Sequence, residues 1–233
     1  MPKRITKRAK ANAALKPASA LVPAEAVATL KKFKAPKFDQ TVNIVMHLGL
    51  DPAQADQSLR GSISLPKGIG KTKRVVAFCQ SDVAPQALAN GAVKAGAEEL
   101  VAEIEKGWMD FDVAVASPDM MRIVSKLGKV LGPKGLMPSP KAGTVTTNVA
   151  QAVKEYAAGK VEYRTDKSGN VHAVIGKMSF PEGDLVANLE HFVTALEKAR
   201  PATAKGQYVK CIVVSGAMTP GVPVKFTSVV EAK

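Results

Sequence analysis

Strand-like runs of two kinds occur in this chain, and their order limits the folds open to it. Over 41–49, Val42, Ile44, Met46 and Leu48 alternate with Asn43, Val45 and His47. Alternation of that period marks a strand with one buried face, which leaves His47 on the outer face as a surface histidine. Over 73–80 and 111–116 the apolar residues are nearly continuous, as in Val75-Val76-Ala77-Phe78. Strands buried on both faces read this way, and they belong to mostly parallel sheets covered by helices. Helices are predicted over 83–95, 98–106 and 118–127, and Asn148 caps a further one running to Ala158.

Around this middle, both ends are of the alternating kind. A helix is expected over 23–34, with Pro23 in its first turn, and a second strand over 59–65. Strands at 161–164 and 171–176 flank Asp166-Lys167-Ser168-Gly169-Asn170, a hairpin signal. Leu185, Leu189, Phe192, Val193 and Leu196 form the apolar stripe of a helix over 185–200, and a last strand follows over 208–214. The expected fold is an α+β domain formed by both termini, residues 1–67 and 160–233. Into it is inserted an α/β, Rossmann-like three-layer domain, residues 68–159. Two strands crossing near Gly68, Gly70 and Gly159 would make a two-domain hinge.

Charge follows the same division. The chain carries +13 at a pI near 9.7, which points to a polyanionic partner. Residues 1–67 hold 12 lysines and arginines against 4 acids, and 160–233 hold 10 against 7. The middle holds 11 against 9, so it is nearly neutral. Residues 1–21 contain six basic residues and no acid, which reads as a mobile arm or a fraying helix. No run approaches the length of a membrane span, and the N-terminus lacks the apolar core of a secretory signal. Cys79 and Cys211 form no paired motif, in keeping with a reducing compartment.

The run from Gly128 to Thr144 holds four glycines, three prolines and the lysines Lys129, Lys134 and Lys141. It is expected to be a rigid, basic loop with no helix or strand of its own, either functional or a well-packed connection. Catalytic motifs fail on spacing. Gly70-Lys71-Thr72 lacks the phosphate-loop glycine, since position 65 is leucine, and no dinucleotide fingerprint follows. His47, His172, His191 and the two cysteines make no metal set, so neither a metal nor a cofactor is expected. Binding features fare better. Lys37-Phe38 could set an aromatic on a base with a cation beside it, although Phe38 in a core is an equal reading. Arg164, Lys167 and His172 surround the 166–170 turn, and the small residues from Ser215 to Gly221 would let a backbone approach a sugar.

Several stretches together resemble one family: Lys37-Phe38-Asp39, Leu48-Gly49-Leu50-Asp51-Pro52, Asp56-Gln57-Ser58-Leu59-Arg60-Gly61, Leu65-Pro66-Lys67-Gly68, the run from Phe111 to Asp119, the loop over 127–143, and Ala204-Lys205-Gly206. From about Glu25 to Val224 the chain is similar to the bacterial ribosomal protein L-one family of the large subunit. The resemblance implies a non-enzymatic two-domain protein that binds the stalk region of large-subunit rRNA. It also implies action on deacylated tRNA at the exit site, contact with other ribosomal components, repression of the chain's own operon mRNA, and a place on the cytoplasmic ribosome of a bacterium rather than in an organelle. It puts RNA contacts at Glu25, Lys37, Phe38, Thr41, Arg164, Lys167, Ser215 and Met218; His172 joins the RNA candidates from its place at the hairpin. From their place in the basic loop, Lys129, Lys134 and Lys141 are expected to make a secondary RNA contact or else to hold the loop's shape. Where the family reads Ser-Thr-Thr-Met-Gly, this chain reads Ser215-Gly216-Ala217-Met218-Thr219. A family hydroxyl is thus missing at Ala217, and Thr219 stands in a glycine's place.

Overall fold

A computed structural model of the chain describes residues 6–52, 54–204 and 206–226. In chain order the strands are β1 (Thr41–Leu48), β2 (Arg60–Ile63), β3 (Val75–Phe78), β4 (Ala92–Gly96), β5 (Val113–Ala116), β6 (Val161–Arg164), β7 (Asn170–Lys177), β8 (Val209–Gly216) and β9 (Val222–Val224). The α-helices are α1 (Lys7–Ala14), α2 (Pro23–Lys32), α3 (Ala84–Ala89), α4 (Glu98–Glu105), α5 (Met121–Val124), α6 (Gly128–Leu131), α7 (Val149–Ala157) and α8 (Glu182–Lys198). The chain falls into two compact units: one runs up to Gly70 and resumes at Tyr163, and the other is Lys71–Glu162.

The unit made by both ends is a four-stranded antiparallel sheet in the order β7-β1-β8-β9. Helices α2 and α8 pack on each other, with α2 on β8 and β9 and α8 on β7. The alternation in β1 is realised residue by residue, since Val42, Ile44, Met46 and Leu48 are buried and the residues between them are not. Asn188 pins the helix to the sheet from inside. Its amide donates to the carbonyls of Ile175 (2.8 Å) and Gly68 (2.9 Å), and its Oδ1 accepts from the Lys67 N–H (3.1 Å).

In the other unit, β4, β3 and β5 form a parallel sheet in that order. Val75, Ala77, Val113 and Val115 are buried with Val149, Ala152, Val153 and Tyr156 of α7. Val76, Phe78, Ala114 and Ala116 face the other way, into a core with Leu100, Ile104, Val124, Leu127 and Leu131. Cover on both faces is why these strands carry unbroken apolar runs.

Several expectations need correction. The helix predicted over 83–95 stops at Ala89, and Ala92–Gly96 is a strand paired with β3. Gly91 makes the turn at a φ of +98°, a left-handed conformation open to glycine, so the alanine-rich run does not continue as a helix. The segments 161–164 and 171–176 do not form a hairpin ladder. Instead β6 pairs with β2, and only the Thr165–Val171 bridge links the two arms. The Thr165 hydroxyl and N–H both bind the backbone of Leu59, which draws that strand away. A further short strand, β9, follows β8 with Pro223 tolerated on the sheet edge. The basic N-terminal segment forms α1, capped by Thr6, and Asn12 is buried against the backbone of Lys34. Residues 1–5 of that arm lie outside the described residues.

The expected loop after 128 also has local structure. Residues 121–131 are one helical run of α5, a 3-10 turn and α6, and Pro140–Ala142 is another 3-10 turn. Val124, Leu127 and Leu131 supply a buried stripe at helical spacing, which outweighs the helix-weakening effect of Gly128. Gly68 and Gly70 lie at the end of the first segment of the sheet-and-two-helix unit, and Gly159 closes α7, all three at positive φ.

Candidate nucleic-acid interface

Antiparallel pairing of β1 with β8 sets Val42 opposite Gly216 and Asn43 opposite Ser215. The segments leaving that point, 37–41 and 215–219, therefore meet at one corner of the sheet. The Ala217 N–H donates to the Thr41 carbonyl (3.0 Å), and the Met218 N–H donates to Gln40 Oε1 (2.8 Å). The Gln40 side chain is buried, so this bond ties the turn to the interior. Asp39 fixes the approach segment by accepting from the Ser179 N–H (3.1 Å) and hydroxyl (2.8 Å). A Cβ on Gly216 would lie 2.9 Å from Thr219 Oγ1 and 3.2 Å from Gln40 Oε1, so the position holds a residue without a side chain.

The corner displays two large apolar side chains beside a cation. Phe38 is 52% exposed and Met218 is 57% exposed, and Lys37 is exposed beside them. Phe38 is therefore not a core residue. Thr219, in the family's glycine place, has no positive φ. Its hydroxyl oxygen accepts from the Gly216 N–H (2.9 Å), so it is spent partly on the turn itself. Ala217 is exposed and offers only a methyl group.

The other sheet candidates sit at the opposite end. Asp166 Oδ1 accepts from the N–H groups of Asn170 (2.7 Å) and Ser168 (2.8 Å), which shapes the turn holding exposed Lys167. The Asn170 amide, then its side chain, the Ser168 amide and His172 hold the Asp166 carboxyl down to about 2. His172 is exposed, 3.5 Å from Asp166, and lies opposite Val45 in the register. His47 lies opposite Asn170, and its Nδ1 is 2.8 Å from Asn170 Oδ1. The six residue steps from Thr41 to His47 span roughly 20 Å. The RNA candidates Lys37, Phe38, Thr41, Ser215, Ala217, Met218 and Thr219 thus form one group. Arg164 and Lys167 form another, with His172 between them on the strand. Glu25 belongs to neither, being exposed in the first turn of α2, roughly 10 Å along the helix from Lys32.

In the parallel-sheet unit, Lys129, Lys134 and Lys141 are exposed on α6, the following turn and the 3-10 turn. The backbone beneath is held from inside: Tyr156 donates its hydroxyl to the Ala142 carbonyl (2.8 Å), and Thr144 Oγ1 accepts from the Ser139 N–H (2.8 Å). Arg122 and Lys126 are exposed on the same helical run and were missed as candidates. Their signal was spacing, since 122, 126 and 129 share a helix face opposite the buried 124, 127 and 131. Among the described residues, no group of three or more His, Cys, Asp or Glu side chains is placed to hold a metal ion. No helix among them is long and apolar enough to cross a membrane.

The corner shows an aromatic ring, a methionine and a lysine to solvent, side chains of the kinds that stack on unpaired bases and neutralise phosphate. The chain matches the model of the Ribosomal protein L1p/L10e family over residues 30–220, and it belongs to that family. Its members are structural, non-enzymatic proteins of the ribosome that bind rRNA.

Proposed function

We propose that the corner of Lys37, Phe38, Thr41, Ser215 and Met218 takes the stalk region of large-subunit rRNA, with Arg164, Lys167 and His172 meeting phosphates at the other end of the sheet. The observation that carries this reading is the pair of exposed apolar side chains, Phe38 and Met218, on backbone sewn together through Gln40. Large apolar groups held at a polar surface are stacking platforms for unpaired bases, and a flanking lysine supplies the phosphate charge. The protein then works on the bacterial cytoplasmic ribosome, where it accompanies deacylated tRNA leaving the exit site. The same corner binds the leader of its own operon mRNA and represses its translation.

The test is a binding comparison of a stalk rRNA fragment, the chain's own leader mRNA and duplex DNA of equal length, with Ala217→Thr beside the wild type. The stalk RNA should bind tightest, and DNA weakest. Restoring a hydroxyl at 217 should tighten both RNAs by about 1 kcal/mol, roughly fivefold. Equal affinity for stalk RNA and DNA would refute the corner reading. Absence of leader binding in both proteins would refute repression alone.

A further inference from the structure

The chain has eight methionines, and Met1 lies outside the described residues. Of the other seven, Met46 is buried in the sheet, and Met109, Met120, Met121, Met137 and Met178 are half-buried. Met120, Met121 and Met137 pack against the core that Leu127 and Leu131 help to build. Met218 alone among the described methionines is exposed. A thioether reacts with oxidants where solvent reaches it, so the chain concentrates that chemistry at the corner with Phe38 and Lys37.

The turn keeps the side chain outside. The N–H groups of Ala217 and Met218 are held by Thr41 and Gln40, and the Thr219 N–H donates to the Gly216 carbonyl (3.2 Å). Pro220 follows, with no N–H and a fixed φ. Three successive main-chain bonds leave the residue no easy retreat into the interior. Oxidation there costs the fold little, because the side chain already meets water. It changes the surface a great deal. An apolar thioether becomes a sulfoxide, a polar group whose oxygen only accepts hydrogen bonds. Phosphate oxygens likewise only accept, so against a nucleic-acid backbone the new oxygen loses its water without gaining a partner.

We propose that Met218 is an oxidation site whose state decides whether the corner takes RNA. In the free chain a sulfur lone pair attacks one oxygen of hydrogen peroxide. The O–O bond breaks as the S–O bond forms, and the departing hydroxide takes the proton of the transferred oxygen and leaves as water. Sulfur loses two electrons and the peroxide gains them. A sulfoxide reductase reverses the step with a dithiol, which becomes a disulfide while the oxygen leaves as water. The proposal rests on the corner reading and adds its regulation. RNA and oxidant compete for one side chain, so chain already on RNA is shielded and free chain is withdrawn from binding.

The experiment compares the full chain with its Met218→Leu variant, both carrying Cys211→Ser because the Cys211 thiol is exposed as well. Each is treated with hydrogen peroxide, the peroxide is removed with catalase, and stalk rRNA affinity is measured before and after. Peptide mass mapping follows every methionine. Met218 should gain its oxygen first, and the stalk RNA should then bind roughly tenfold more weakly. Thermal stability should be unaltered, and reductase with dithiol should restore binding. Prebound stalk RNA should slow oxidation at Met218. The leucine variant, whatever its starting affinity, should bind equally before and after peroxide. An equal loss in that variant would overturn the proposal, as would full affinity in chain oxidised at Met218. Oxidation of the half-buried methionines ahead of Met218 would overturn it too. Phe38→Ala, measured in parallel, separates the two readings. Weakened binding there with silent oxidation at Met218 sinks the proposal alone, whereas unchanged binding in both sinks the corner reading with it.

Discussion

The corner at Phe38 and Met218 and the helical run at 122–134 are both built on stiff backbone, yet they show solvent opposite things. The corner offers exposed apolar side chains with a few cations around them. The helical run offers cations alone, without acids or exposed apolar groups. The first chemistry discriminates among RNA structures, because a base must be unstacked to use it. The second chemistry is attraction of cations to any polyanion, and such attraction weakens with salt. Net charge points elsewhere, for the unit with the corner carries +11 and the unit with the helical run only +2. The local arrangement of charge, not its sum, identifies what each surface can bind.

The comparison breaks most severely if its scaffolds are not separate. Asn188→Leu leaves the Lys67 N–H and the carbonyls of Gly68 and Ile175 without their partner, at a cost of about 3 kcal/mol or more. Hydrogen exchange should show protection lost over 6–70 and 163–226 and retained over 71–162. Uniform loss would mean that the units share one cooperative transition.

Phe38→Ala sharpens the corner side. Removing one stacking platform should weaken the stalk RNA by about 1–3 kcal/mol. Thermal stability should be unaltered, because the ring is half exposed. An unchanged dissociation constant would take Phe38 out of the interface.

Tyr156→Phe addresses the other scaffold. It removes the donor to the Ala142 carbonyl and should lower the stability of Lys71–Glu162 by about 1–2 kcal/mol. Denaturant unfolding followed at Trp108 reads this directly, since the tryptophan lies in that unit.

The smallest effect concerns acid. Asp166 has its carboxyl depressed to about 2 in the folded chain, against an unfolded value near 3.8. The stability it adds is fully present above about pH 4 and disappears as pH falls towards 2. Asp166→Asn should therefore be less stable than wild type at neutral pH, and the gap should close in acid unfolding curves below about pH 2. A gap that stayed constant through that range would assign the stabilisation to something other than the charge.

Much of the fold was legible because periodicity is a physical signal: β1, α2 and α7 end within two residues of the predicted bounds, and α8 lies where its apolar stripe placed it but starts three residues earlier, at Glu182. The misses share one cause. In Ala92–Gly96 and in β9 the partner strand decides the structure, and short segments carry too few residues to announce it; β6 was read as a strand, and what its sequence did not announce was its pairing with β2. The same holds for the site. Cations at Lys37 and Lys129 could be read directly, whereas the exposure of Phe38 depended on the packing of strands distant in sequence. Arg122 and Lys126 were visible all along, but only after the helical run was known to continue past 127 did they align with Lys129.

The bond from the Met218 main chain to buried Gln40 has a consequence for how this turn can change over time. Recognition there is of a backbone N–H, which every residue except proline possesses. The side chain at 217 can therefore be exchanged while the methionine stays at the same height above the sheet, whereas Thr219 also holds the turn through its hydroxyl. The methyl group of Ala217 is one such exchangeable side chain, because the turn is keyed to main-chain groups at Thr41 and to the amide of Gln40 beneath it.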